Sequence, residues 1–380
     1  MSARDLGTAR IPSLADYGRE RLDALCDALS LPGTERRSAQ AVFQLVSDSW
    51  GQLPLDDEPA WENDLTDDGT PFEFSLGFEA EKPELRLLFE SQLGAGRLSQ
   101  HTSWQAGIAL QAQLQARHLC VSTQFDKLLP LLMPRADYVP RFALWHAIVL
   151  SEAGASLCKV YLNPEIAGIA ESRELAAEAF DRMGLSKAWR FVKRRLAKDT
   201  RLPYLSLDLK APQVARTKLY LTAADAAGVE RLVEGTPGLE RGDALGWLQQ
   251  LTQSVGPFSR RPILTCYAFR PGKAQPEATV HVPIRDYASN DQEALERTLE
   301  LLPARSGRLL DQAMNALAHG PLKHSSGLLS YVSLRVVEGR LRVTTYLAPG
   351  AYSGGDSVDR RGSGTIPTGR PLASTSGLEG

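Results

Sequence analysis

Cysteine is scarce in this chain. The four present (Cys26, Cys120, Cys158 and Cys266) lie far apart, with no CxxC pair and no Cys/His cluster. Neither a zinc site nor a disulfide framework is indicated. Net charge is also nearly absent, −2 over 380 residues, which removes the global basic field that draws a protein to nucleic acid or to an anionic membrane. No apolar run approaches bilayer-spanning length, and the opening Met1-Ser-Ala-Arg-Asp5 lacks the apolar segment of a secretion signal. The expectation is a cytoplasmic enzyme with reduced thiols. What is there is an ordinary globular composition, 43% hydrophobic and 23% charged, long enough for one large domain or two smaller ones. Arginine clusters locally between Arg190 and Arg195; such a run reads as a solvated helix face.

Five short segments repeat one device. They are Glu84–Phe89, Leu157–Asn163, Ala215–Leu221, Thr279–Arg285 and Leu341–Leu347, each the second strand of an expected hairpin. Side chains at i, i+2 and i+4 share one face of a strand. Lys159 and Tyr161 therefore share a face, as do Arg216, Lys218 and Tyr220, and as do Arg342 and Tyr346. An ordinary half-buried strand places Val, Leu and Ile inward and leaves the other face to water. Here the second face presents cations beside phenol rings. That combination suits a multiply charged anion held next to a reactive carbocation.

Helical periodicity separates the hairpins. Helices are expected over 17–29, 38–53, 104–118, 126–132, 172–183, 187–197, 223–233, 243–254, 291–302 and 308–318. Hairpins are expected over 71–89, 144–163, 204–221, 263–285 and 328–347. This order is neither the βαβ alternation of a parallel sheet nor the helix-free run of a sandwich. Ten antiparallel strands with helices on one side can close into a barrel without edges. The expectation is an α+β fold: a ten-stranded antiparallel β-barrel of five repeated ααββ units, surrounded by helices, with a ligand cavity inside. The barrel domain takes 1–350. Residues 351–380, rich in Gly, Ser and Thr and poor in core formers, read as a disordered tail.

The segment Leu65-Thr-Asp-Asp-Gly-Thr-Pro-Phe-Glu-Phe-Ser75 closely resembles the signature of the dimethylallyltryptophan-synthase family of aromatic prenyltransferases, the ABBA-fold enzymes. The resemblance continues in Lys159-Val-Tyr161, Arg216-Thr-Lys-Leu-Tyr220, Val280-His-Val-Pro-Ile-Arg-Asp-Tyr287 and Val343-Thr-Thr-Tyr346, so it spans roughly 61–349. It implies a PT barrel and metal-independent chemistry with no cofactor. Asp67-Asp68 is followed by Gly69, Thr70 and Pro71, so the second half of the DDxxD metal motif of helical prenyltransferases is missing.

By this resemblance Glu73 accepts a hydrogen bond from an indole N–H and offsets the charge of the arenium intermediate. The alternative is an exposed strand glutamate. Arg86, Lys159, Arg216 and Lys218 match diphosphate-binding positions, with Arg342 a fifth. At an effective dielectric near 20, each close ion pair is worth about 4 kcal/mol before desolvation is subtracted. Tyr161, Tyr220 and Tyr346 match positions that shield the allylic cation. His281 stands where the family usually has Tyr. His146, thirteen residues before Lys159, stands near the position of a lysine thought to take the ring proton in C4-prenylating relatives; it reads either as that base or as a structural histidine.

The resemblance implies transfer of a dimethylallyl group from dimethylallyl diphosphate to the indole ring of L-tryptophan, at a benzenoid carbon with C6 favoured. Tyrosine or a tryptophan-containing dipeptide is the alternative acceptor. A non-catalytic barrel for an anionic aromatic ligand is the alternative class; a pure anion binder, however, gains nothing from Glu73.

Overall fold

The computed structural model describes residues 11–78, 82–152, 154–240, 242–273, 275–352 and 368–371. Five helix pairs alternate with five strand pairs. The first unit is α1 (Leu14–Ala28), α2 (Gly33–Ser47), β1 (Phe72–Phe78) and β2 (Glu84–Glu90). The second is α3 (Gln100–Ala116), α4 (Thr123–Asp126), β3 (Leu144–Ser151) and β4 (Gly154–Leu162). The third is α5 (Ser172–Arg182), α6 (Ser186–Lys193), β5 (Tyr204–Asp208) and β6 (Thr217–Ala223). The fourth is α7 (Ala226–Val233), α8 (Asp243–Thr252), β7 (Ile263–Phe269) and β8 (Glu277–Val282). The fifth is α9 (Asp291–Leu299), α10 (Ala304–Leu317), β9 (Leu329–Val337) and β10 (Arg340–Leu347).

Every strand pairs with its sequence neighbours, and β1 closes the barrel on β10, with Phe74 opposite Leu347 and Ser75 opposite Tyr346. Closure leaves the ten strands no edge to cap. α1 packs on α10, so the helical coat is also joined end to start. Helix starts follow side-chain chemistry. Ser13 and Asp16 form a capping box at α1, and Asp225 and Asn290 accept from the first-turn N–H groups of α7 and α9.

The strands are apolar on the face that meets the helices. Phe72, Phe74, Leu76 and Phe78 of β1 belong to the main core, and Phe72 meets Phe43 of α2 edge to face at 5.5 Å. Gly18 permits that approach, because a Cβ there would lie 2.2 Å from Phe43 Cζ. Truncating a buried ring of this kind costs about 3–5 kcal/mol. The alternate residues of each strand point into the barrel.

Two elements stop earlier than periodicity suggests. The helix expected over 126–132 is only α4 followed by turns, because Pro130 has no N–H to continue the ladder. β8 ends at Val282, since Pro283 breaks the strand and Ile284–Asp286 turns as a 3₁₀ segment. Of the expected tail, 353–367 and 372–380 lie outside the described residues. Ala351 and Tyr352 are anchored by N–H bonds to Thr70 Oγ1 and Asp68 Oδ2, both 2.9 Å. Arg370–Pro371 pairs with Tyr138–Val139. Among the described residues no helix is long and apolar enough to cross a membrane.

Candidate active site

Strand alternation gathers the inward side chains into three zones. The first is cationic. Lys159, Lys218, Arg216 and Arg86 come from β4, β6 and β2 and the turn before β6, and Arg342 comes from β10. Lys159 is 7% exposed. Burial first, then the nearby charges of Lys218 and Arg86, push its ammonium well below the usual lysine range. Burial likewise lowers Lys218. The counter-charge is limited. Asp208 stands opposite Lys159 in register and takes Arg216 Nε at 2.5 Å. Burial pushes the Asp208 carboxyl up, but Arg216 and Lys159 outweigh it and hold it below its ordinary value. Arg86 pairs with the half-exposed Glu84 at 2.5 Å. Gly77 keeps β1 clear of this side chain, since a Cβ there would lie 2.7 Å from Arg86 Nη2. Lysines that burial, and then neighbouring cations, make hard to charge form a site that gains from an anion.

The second zone is a belt of rings. Tyr161 and Tyr220 are 6.1 Å apart, Tyr220 and His281 5.3 Å, His281 and Tyr346 6.0 Å, and Tyr346 and Tyr331 6.4 Å. Tyr204 joins at 5.6 Å from Tyr220. Burial, then Lys218, lowers His281 to about 3, so it is neutral here and completes the belt as a ring rather than a charge.

The third zone holds Glu73, 5% exposed on β1. Ser330 donates its hydroxyl to Glu73 Oε1. Burial raises the carboxyl to about 7, with the Ser330 bond opposing. The loop before it is tied down by hydrogen bonds and ion pairs. Asp68 accepts from Thr66, Thr70 and the Tyr352 N–H. Asp67 takes Arg285 at 2.6 Å and Arg261 at 3.0 Å. Both carboxylates are thus committed to turn and ion-pair duties.

Of the two readings of His146, as base or as structural histidine, the register favours the second and corrects its place among the catalytic residues. His146 stands opposite Val160, whereas Ala147 stands opposite Lys159, so its ring leaves the barrel on the helix side. It stacks on Phe89 at 5.8 Å, and its Cε1 lies 3.4 Å from where a Cβ on Gly107 of α3 would be. It is fully buried, neither ring nitrogen has a hydrogen-bond partner among the described residues, and burial lowers it to about 3. It is a core residue.

Several inward residues escaped the sequence reading. Arg335 of β9 stands opposite Arg342 and lies 3.8 Å from Glu277. Its signal was present, because Tyr331, Ser333 and Arg335 alternate as Tyr161 and Lys159 do. Trp145, Tyr204, Ser330 and Asp208 also face inward, and Glu90 accepts the indole N–H groups of Trp61 and Trp145 at 3.0 and 2.8 Å.

Comparison with known proteins gives a consistent picture. Residues 36–312 match the family model described as tryptophan dimethylallyltransferase. The structure of PriB with product diphosphate superposes with a TM-score of 0.81 at 30% identity, covering 90% of this chain and 97% of that one. The 5-dimethylallyl tryptophan synthase from Streptomyces coelicolor, in complex with DMASPP and Trp, gives 0.80 at 30% identity over 90% and 97%. The 6-dimethylallyltryptophan synthase from Micromonospora olivasterospora, also with DMASPP and Trp, gives 0.79 at 30% over 90% and 98%. Prenyltransferase fogH of Aspergillus ruber is 36% identical over 89 residues, which is 22% of this chain and 20% of that protein, so the chain matches about a fifth of that curated relative's length.

Proposed function

The chain belongs to the tryptophan dimethylallyltransferase family, and from that premise we propose that it transfers a dimethylallyl group from dimethylallyl diphosphate to the indole ring of L-tryptophan. Two of its structural relatives are 5- and 6-dimethylallyltryptophan synthases at equal identity. Attachment at a benzenoid carbon is the reading, with C6 the position to test first.

In this reading Arg86, Lys159, Arg216, Lys218, Arg335 and Arg342 hold the diphosphate. The bond between the dimethylallyl C1 and the diphosphate oxygen breaks, and its electron pair leaves with the oxygen. The negative charge that develops on the leaving diphosphate is stabilised by these fixed cations in place of water. Tyr161, Tyr220, His281 and Tyr346 surround the allyl cation with ring faces and exclude water. Glu73 accepts the indole N–H and offsets charge as a ring carbon bonds to C1. With His146 outside the barrel, the departed diphosphate is assigned the ring proton, and its loss restores aromaticity.

The observation that carries the reading is the pairing of buried, mutually repelling lysines with a buried carboxylate across a belt of rings, inside one closed barrel. A pure anion carrier would lose affinity from Glu73. Incubation with L-tryptophan, dimethylallyl diphosphate and excess EDTA tests it. Addition of one isoprene unit, located by NMR on the benzenoid ring, is expected. No product across a panel of indoles, or turnover abolished by EDTA and restored by Mg²⁺, overturns it.

A further inference from the structure

Asp208 ends β5 in the middle of the cationic zone. Its side chain is 4% exposed. It stands opposite Lys159 of β4, and its backbone N–H donates to the Arg216 carbonyl at 3.0 Å, so the strand places a carboxylate between two cations. Oδ2 takes the Arg216 Nε at 2.5 Å. Oδ1 is buried and meets no hydrogen-bond donor among the described residues. An ionised carboxylate offers acceptor sites only, and leaving a buried one unmet is costly.

The other carboxylates of this zone are placed differently. Glu84 on Arg86 is half-exposed, and Glu277, beside Arg270 and Arg335, is about a third exposed. Water screens both. Elsewhere in the chain the buried Glu165 has both oxygens filled by Arg201, at 3.0 and 2.5 Å. Asp208 is therefore set apart in its zone by full burial, by the cations on either side of it, and by one open oxygen.

A diphosphate held by Lys159, Arg216 and Lys218 brings its own oxygens to this place. Acceptors then face each other with no hydrogen between them and little water to screen them. The carboxylate thus subtracts from anion binding, although it serves the empty barrel. There it holds Arg216, and its charge favours the charged form of Lys159 against burial and the cations Lys218, Arg86 and Arg216. A site with every cation uncompensated would hold the product as firmly as the donor, since both carry the diphosphate.

We infer that Asp208 limits the hold on diphosphate, so that the product leaves after transfer while Arg216 and Lys159 stay placed for the next donor. It is a positioning residue and takes no part in making or breaking bonds. The inference rests on the diphosphate donor proposed above. Affinity differences between closely related complexes lie mostly in the dissociation rate, and product release sets the turnover of many enzymes.

The test uses the full chain and inorganic diphosphate. Asp208→Asn keeps an oxygen for the Arg216 Nε and removes the charge. Its dissociation constant for diphosphate is expected to fall at least ~10-fold, with the dissociation rate falling by the same factor. Damage to the site would weaken binding, so the sign separates this role from a structural one. Lys159 acts in the opposite sense, because without Asp208 it is harder to charge. The gain is therefore expected to be largest at acid pH and to shrink as pH rises. The same gain is expected when Asp208→Asn/Arg216→Gln is compared with Arg216→Gln, a comparison that decides the matter where the single variant does not fold. Glu84→Gln is expected to change the constant by less than about threefold, since water screens that carboxylate. Unchanged or weaker binding, or tighter binding with an unchanged dissociation rate, overturns the inference and leaves prenyl transfer intact. A gain in Glu84→Gln equal to that in Asp208→Asn also overturns it. Failure of the unaltered protein to bind diphosphate overturns it together with the function on which it rests.

Discussion

Glu73 and Glu90 stand on adjoining strands, both buried, both raised by burial to about 7. Their hydrogen bonding differs. Glu90 is 0% exposed and each of its oxygens accepts an indole N–H, from Trp61 and from Trp145. Glu73 accepts a single serine hydroxyl on one oxygen. The chain therefore contains its own demonstration that a buried carboxylate in this wall binds indole N–H groups. At Glu90 the indoles are part of the protein and the group is structural. At Glu73, in the proposed reading, the indole is supplied by the acceptor, and the group acts on the chemistry. The same burial that is tolerated at Glu90 for packing would serve, at Glu73 under that proposal, as a reserve of electrostatic stabilisation.

The largest expected effect separates the two directly. Glu73→Gln keeps shape and removes charge, and is expected to lower kcat by ~10²–10³ without loss of stability. Near-normal kcat in a folded variant would dissolve the distinction. Glu90→Leu should do the reverse. It strands two buried indole N–H groups at about 1–3 kcal/mol each, so chemical denaturation should show a loss of several kcal/mol while the folded fraction turns over within tenfold of normal. A stable but inactive Glu90→Leu protein would assign Glu90 to the chemistry.

pH sharpens the contrast next. The ionised Glu73 accepts an N–H more strongly than the protonated form and alone carries the charge that offsets the arenium ion, so kcat/KM for the acceptor should rise with pH through about 7 and flatten above it. Lys159, held well below the usual lysine range, should impose a falling limb at a pH lower than an ordinary lysine would. In Glu73→Gln the acid limb should vanish and the alkaline limb remain. Stability carries the opposite sign. A carboxyl whose proton affinity rises on folding contributes below its unfolded value of 4.5, and that contribution is lost as pH climbs through about 7. Glu73→Gln should thus be more stable than the parent at pH 8, by up to about 3 kcal/mol, and similar to it at pH 4. An acid limb that survives the substitution would assign it to another group.

The smallest expected effect concerns His146. Replacing it with Leu removes two buried ring nitrogens that have no partner, so stability should hold or rise by about 1 kcal/mol, with kcat and product unchanged within threefold. A shifted product would return it to the lumen.

The barrel was legible in the sequence because hairpins and helix pairs repeat in one order, and the inner face was legible wherever charge alternates with Val or Leu. Lys159, Arg216, Lys218, Tyr161 and Tyr220 fall out of that alternation. His146 was not legible, because Leu144-Trp-His-Ala-Ile-Val-Leu150 is apolar almost throughout and hides which face is inward. Counting thirteen residues back from Lys159 crosses a register shift at Val149/Leu150, so spacing does not fix the face. Glu90 was concealed likewise, since its partners Trp61 and Trp145 flank it at a distance that no periodicity records.

The most direct test of the Glu73 assignment removes the hydrogen it is said to hold. L-Tryptophan and its N1-methyl derivative are compared as acceptors, with the parent protein and with Glu73→Gln, as a four-cornered cycle in kcat/KM. The account predicts that methylation costs the parent at least ~10²-fold and the variant less than about a tenth of that, because the carboxylate and the N–H act as a pair. Equal losses in both proteins would show that the two groups never meet, and would contradict the account.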